Sequence, residues 1–190
     1  MIQLTSPFTE DGMRALKVGD EVAISGTLFT GRDMVHKYLH EGGSLPAGVN
    51  LRDGILYHCG PVVLPDNVGW RVVAAGPTTA SREEPYQAQI IEKFGLRGVI
   101  GKGGMGARTL EACRKFGCVY LHAVGGAAQV LAECITKVRG VSFLEQFGSP
   151  EAIWELEVEQ FPAVVTMDAH GRSLHQEIFA ASQSELIKRL

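Results

Sequence analysis

Apolar positions along the chain fall into short runs cut by glycine and proline, and their spacing changes from run to run. Residues 21–30, EVAISGTLFT, alternate and are β-branched, which predicts a strand, or a bent pair, around Gly26. Residues 32–43 place Met34, Val35, Tyr38 and Leu39 at helical spacing and end in a glycine pair, so Arg32 opens a helix just after a strand. A loop over 43–54 leads to ILYHCGPVVL (55–64), a strand broken at Gly60-Pro61, and then to a turn at 65–69. WRVVAAG (70–76) is almost continuously apolar, the pattern of a strand buried in a sheet.

After the polar stretch GPTTASREEP, a helix is expected from about 82–85 to Phe94, with Ile90, Ile91 and Phe94 inward and Gly95 closing it. Ser81 and Glu84 fit a capping box, and Pro85 fits the first helical position. RGVIG (97–101) reads as a short strand, followed by a glycine-rich turn and a helix to residue 117 with Leu110, Cys113 and Phe116 inward. CVYLHAV (118–124) is the next strand and 125–138 a helix of small residues. Residues 139–148, 149–158 and 161–171 are strand-rich, and 182–190 form a terminal helix. Residues 1–20 read as an extended entry. Apolar strands and helical segments in turn predict an α/β fold, read as one domain over residues 1–190.

Composition narrows the class. A hydrophobic content of 45% supports a packed core. A net charge of −3 argues against a general nucleic-acid binder. The apolar runs are too short to span a membrane, and the first residues lack a signal-peptide core, so a cytoplasmic protein is expected. Cys59, Cys113, Cys118 and Cys134 have neither zinc nor ferredoxin spacing, so no metal site is expected on this chain.

The chemistry concentrates in two turns that each follow a strand. The first offers Thr78, Thr79, Ser81 and Arg82, and the second offers Lys102 among glycines. In α/β folds ligands bind where strand C-termini meet such turns. Hydroxyls beside fixed cations suit a small dianion. Thr78 and Thr79 also suit plain turn and cap duty. Arg32 at a helix N-terminus opposes the macrodipole, so it is solvated, paired with Glu21 or Asp33, or aimed at an anion. GKGGMG (101–106) matches a dinucleotide fingerprint, but the following strand ends without the acidic residue that would hold a ribose. Lys102 on a glycine-rich turn with free backbone N–H groups, facing a carboxylate or phosphate, is the better physical reading.

Taken together, GTLFTGRDMVHKYL, YHCGPV, VVAAGPTTASR, VIGKGGMG, VYLHAVGGAA and VTMDAHGRSL resemble the β-subunit, or C-terminal domain, of class I iron–sulfur hydro-lyases. That family includes fumarate hydratase and L-tartrate dehydratase. AVGGAA and DAHG look closer to the fumarases, while the Cys in YHCGPV stands where a small Ala is associated with the family. The resemblance implies a swivelling β/β/α domain with a mixed β-sheet core and flanking helices. It implies a [4Fe–4S] cluster held by a separate iron–sulfur α-subunit and not by this chain, hence a hetero-oligomer. Arg32, Arg82 and Lys102 resemble the family's substrate-binding cations, and Thr78 the residue that exchanges the C3 proton of malate, with Lys102 counted among the catalytic groups. The implied activity is reversible hydration of fumarate to L-malate. Tartrate or mesaconate-type dehydration is an alternative, and a non-catalytic dinucleotide- or phosphate-binding module is an alternative of another class.

Overall fold

The computed structural model describes residues 1–189. Its strands are β1 (Ile2–Thr5), β2 (Glu21–Thr30), β3 (Ile55–Tyr57), β4 (Val62–Asp66), β5 (Gly69–Ala74), β6 (Gly98–Gly101), β7 (Val119–His122), β8 (Ile135–Ser142) and β9 (Ile153–Met167). Its α-helices are α1 (Glu10–Ala15), α2 (Asp33–His40), α3 (Glu84–Phe94), α4 (Ala107–Phe116), α5 (Ala128–Glu133), α6 (Leu144–Phe147) and α7 (Leu174–Arg189). Among these described residues no helix is long and apolar enough to cross a membrane.

The main sheet is mixed, with order β1-β2-β3-β6-β7-β9-β8, and β2 also pairs with β9. β1, β2, β3, β6 and β7 are parallel neighbours, while β9 runs antiparallel to β2, β7 and β8. The pairings β2–β3–β6–β7–β9–β2 therefore close a ring. β9 spans both sides of it because Gln160, at φ 53°, lets the strand shift register between its Val158 and Phe161 pairings.

Strand alternation sorts side chains into two cores. Leu28, Ile55, Tyr57, Ile100, Val119, Leu121, Leu156 and Phe161 share one cluster, inside the ring. Their sequence neighbours Phe29, Leu56, Val99 and Tyr120 pack in a second cluster with Val35, Leu39, Ile90, Ile91 and Cys113 of α2, α3 and α4. Each buried aliphatic side chain is worth about 2 kcal/mol, so both faces of each short strand hold the ring closed. This is why the runs look continuously apolar. α3 and α4 end on Gly95 and Gly117, both in the left-handed region at φ 65°.

Several expectations are corrected. WRVVAAG is not a central strand: β5 pairs only with β4, as a two-stranded hairpin. Its Trp70 packs edge-on against Trp154 at 5.5 Å, while Arg71 and Val68 are exposed. The helix expected over 125–138 stops at Glu133, because the β-branched residues after it pair with β9 as β8. Residues 153–167 form one strand rather than parts of two, and 144–147 are helical. The entry segment contains β1 and α1. The terminal helix starts at Leu174, and only the last residue of the expected 182–190 helix lies outside the described residues. In α2, Met34 is 44% exposed and His36 is buried in its place.

Candidate active site

The parallel strands deliver their C-terminal ends to one edge, and the chemistry lies there. β2 ends at Thr30, and Arg32 follows as N-cap of α2. A cation at that position is unfavourable by itself. Glu151, from a 3-10 turn over Ser149–Glu151, offsets it. One oxygen of Glu151 lies 3.1 Å from Arg32 Nε, and the other accepts the Met34 N–H at 3.0 Å. The Arg32 contact is an ion pair rather than an aligned hydrogen bond, and its Nε–H has no acceptor. Neither Glu21 nor Asp33, the partners suggested by sequence, pairs with Arg32. Gly60, just past β3, lets the guanidinium approach: a Cβ there would stand 2.5 Å from Arg32 Nη1.

The Thr78 turn is laced between the ends of β3 and β6. Thr78 N–H donates to the His58 carbonyl at 2.7 Å, Lys102 N–H to the Thr78 carbonyl at 3.2 Å, and Ala80 N–H to the Lys102 carbonyl at 3.1 Å. Cys59 bridges Pro77, and Thr79 bridges Lys102. Backbone pairing thus places Thr78 beside Lys102. Arg82, in a 3-10 turn over Ala80–Glu83, donates from Nη2 to Thr78 Oγ1 at 3.1 Å and to Asp33 Oδ2 at 2.8 Å. Asp33 is the residue after Arg32, so Arg32, Thr78, Arg82 and Lys102 all gather on one edge. Thr78 is half-buried and Thr79 exposed.

Glu84 replaces the predicted capping box. Its Oε2 accepts the Gly106 N–H at 2.7 Å and the Thr109 hydroxyl at 2.6 Å, and its Oε1 accepts the Thr109 N–H at 3.3 Å. It caps α4 from another helix, and a Cβ on Gly106 would meet Oε1 at 2.6 Å. The N–H of Gly106, in the turn expected to carry free donors, and that of Thr109 in α4 are both taken by this carboxylate. Those two donors at the start of α4 are therefore not open to a phosphate. Lys102 is half-buried and has no acidic partner among the described residues.

Four further polar residues, Glu83, His36, His58 and Gln87, lie behind this edge, none of them singled out by sequence for a role. Glu83 is fully buried, with no hydrogen-bond partner on either oxygen. Burial first, then the charge of Asp33, pushes its pKa up to about 8 against the pull of Arg82. Buried His36 and His58 both contact Gln87 Oε1, at 2.9 and 2.8 Å. Burial holds both imidazoles below the usual histidine range, His58 well below, with His36 adding to the effect on His58. These partners are 29 and 51 positions apart, so no local pattern announces them.

Cys59 is buried, and desolvation pushes its thiol up to about 12, which makes it a poor nucleophile. The cysteines are divided: Cys59 lies in the core inside the ring with half-buried Cys134 packed against that core, and Cys113 and Cys118 lie in the outer one. Among the described residues no three His, Cys, Asp or Glu side chains gather as a metal site. The cysteines of this chain do not fit an iron–sulfur cluster.

Comparison with known proteins identifies the family. The family model described as "Fumarase C-terminus" matches residues 1–178. A putative class I fumarate hydratase of Geobacillus stearothermophilus is 56% identical over 187 residues, covering 98% of this chain and 36% of that protein. The chain thus spans about a third of that relative's length. A putative L(+)-tartrate dehydratase subunit beta of Methanocaldococcus jannaschii is 39% identical, covering 90% of this chain and 89% of the relative. The L(+)-tartrate dehydratase subunit beta of Escherichia coli (strain K12) is 33% identical, covering 98% and 94%. With its matched region running from β1 into α7 and carrying all four candidate residues, the chain belongs to the Fumarase C-terminus family.

Proposed function

We propose that this chain is the β-type half of a hydro-lyase that interconverts fumarate and L-malate, working with an iron–sulfur partner subunit. The observation that carries the reading is the contact of Arg82 Nη2 with Thr78 Oγ1 at 3.1 Å, on the edge shared with Arg32 and Lys102. Fumarate over tartrate rests on the 56% identity to a protein named fumarate hydratase, against 39% and 33% to tartrate dehydratase subunits. The iron–sulfur cluster is assigned to the partner, since the cysteines here do not fit one. The subunit arrangement draws on the relatives named subunit beta, which match along nearly their whole length.

Malate is a dianion whose C3 proton is weakly acidic. Removing that proton builds charge on the adjacent carboxylate, and cations already in place stabilise it more in the transition state than in the ground state. Arg32 and Lys102 bind the carboxylates. Thr78 takes the C3 proton on its oxygen. An N–H donated by Arg82 favours the deprotonated form of that oxygen, which a threonine in water would not reach. As the C3–H pair becomes the C2=C3 double bond, hydroxide leaves C2 toward the partner's half of the site. In hydration Thr78 returns the proton to C3.

The test compares wild type and Thr78→Ala in the assembled enzyme, following fumarate, tartrate and mesaconate. Turnover of fumarate is expected to fall at least roughly 100-fold, with malate binding little changed and Thr78→Ser partly active. Intact turnover in Thr78→Ala, with loss in Thr79→Ala, would move the proton carrier to the other threonine. Preferred turnover of tartrate would replace the substrate.

A further inference from the structure

Two buried histidines meet at one atom of a buried glutamine, and the proton count there is informative. His36 Nε2 and His58 Nε2 lie 2.9 and 2.8 Å from the Gln87 oxygen position, and His36 Nδ1 lies 2.8 Å from the Arg32 carbonyl. A glutamine oxygen at that position would need a proton on each Nε2. The Arg32 carbonyl only accepts, so His36 Nδ1 needs a proton as well. His36 would then be an imidazolium at a site with no exposure, and the Gln87 amide nitrogen would keep two hydrogens with no acceptor.

Turning the amide over removes both faults, and amide orientation is rightly assigned from such a network. The NH2 group then gives one hydrogen to each Nε2. His36 stays neutral, with its proton on Nδ1 for the Arg32 carbonyl. His58 carries its proton on Nδ1. That atom and the Tyr120 hydroxyl, neither of which has a hydrogen-bond partner, flank one point: a Cβ on Gly101 would stand 3.3 Å from the first and 2.9 Å from the second.

We propose that Gln87 is a positioning residue whose NH2 bridges two neutral histidines, His36 and His58, and so ties the Arg32 turn to the Thr78 turn through the interior. At one end His36 holds the carbonyl of Arg32, the N-cap of α2. At the other the His58 carbonyl accepts the Thr78 N–H at 2.7 Å. The distance between a substrate cation and the proton carrier is thereby set by a buried polar chain. The functional part of this inference rests on the hydro-lyase reading, whereas the tautomers do not.

The experiment is long-range 1H–15N imidazole spectroscopy on the 15N-labelled full chain, with kinetics on the assembled enzyme. In wild type both His36 and His58 are expected neutral with Nδ1–H between pH 6 and 8. A doubly protonated His36, or an Nε2–H tautomer at either residue, would overturn the bridge. The Gln87→Glu carboxylate can only accept, so it should move the proton to Nε2 on both rings or charge His36. Unchanged tautomers in that variant would also overturn it. The specificity constant of Gln87→Glu is expected about tenfold lower, the scale of one misplaced hydrogen bond. Switched tautomers with unchanged kinetics would overturn the positioning role alone. Since the spectra need no activity, failure here is distinguishable from failure of the hydro-lyase reading, which the Thr78 variants test.

Discussion

The turn that opens α2 and the turn that opens α4 solve the same problem differently. Both follow a parallel strand of the ring, both carry a cation, and both helices are capped by a distant glutamate. At α2 the capping Glu151 also pairs with the turn's own Arg32, and the adjacent Asp33 pairs with Arg82. At α4 Glu84 is spent wholly on Gly106 and Thr109, and Lys102 has no acidic partner among the described residues. The arginines are therefore fixed and partly neutralised before any ligand arrives. Lys102 supplies charge that no neighbour cancels. One side gives geometry and the other gives field.

The largest effects are expected from breaking this asymmetry directly. Lys102→Met and Arg32→Gln should each lower the specificity constant of the assembled enzyme tens- to thousands-fold, the cost of about 2–5 kcal/mol for a lost charge-assisted bond to a carboxylate. Their stabilities should part. Lys102→Met should melt at or slightly above the wild-type temperature, since no partner is stranded. Arg32→Gln should melt lower, because Glu151, with a side chain only 17% exposed, loses its counter-charge. Arg82→Lys should keep its stability, because the Arg82–Asp33 pair is about half exposed. It should still lose activity, since one ammonium cannot serve Thr78, Asp33 and a substrate with a guanidinium's geometry. Equal melting of Lys102→Met and Arg32→Gln would erase the distinction between the two turns.

The asymmetry was invisible in the sequence for a physical reason. Arg32, Thr78, Arg82 and Lys102 are legible because each sits in a short turn whose residue types and glycines are local. The parallel strands of the ring, β2, β3, β6 and β7, and the helices α2, α3 and α4 are legible because period and punctuation agree there. Glu151 reaches Met34 across 117 positions and Glu84 reaches Gly106 across 22, so a carboxylate that caps another element looks like any surface glutamate. WRVVAAG misleads because Trp70 and Val72 pack against the inner core, so the run is apolar although its hairpin stays partly exposed. The ring closure was out of reach because it depends on β9 continuing through Gln160, a residue with no propensity for the bend it makes.

A smaller effect would sharpen the comparison of the two caps. Glu84→Gln removes the charge at the α4 N-terminus and should cost about 1 kcal/mol of stability, a fall of about 2–4 °C in melting temperature. Amide exchange should quicken at Gly106 and Thr109, whose N–H groups lose the carboxylate. Glu151→Gln should disturb the arginine side instead, quickening exchange at Met34 and leaving Gly106 unchanged. Exchange that rises at both turns in either variant would mean that the caps act through one unit rather than two.

A further effect separates the turns by pH. Glu83 lies buried behind the arginine side, facing the charges of Asp33, Arg82 and Glu151, and its pKa is pushed up to about 8 from an ordinary 4.5. The folded chain therefore keeps this proton up to about pH 8, while the unfolded chain releases it near 4.5. Between those values the native state binds one more proton, so its stability falls as pH rises and levels off above pH 8. The contribution is full below the unfolded value and lost through the folded one, on the order of a few kcal/mol at most. Glu83→Gln keeps the neutral shape and removes the titration. Melting curves at pH 5.5 and 8.5 should thus differ less for Glu83→Gln than for wild type, with the variant the more stable at pH 8.5. Lys102→Met should leave the wild-type pH slope intact, because Lys102 is not among the charges that act on Glu83. A slope that survives in Glu83→Gln would place the titrating proton elsewhere and dissolve this last difference between the two sides of the site.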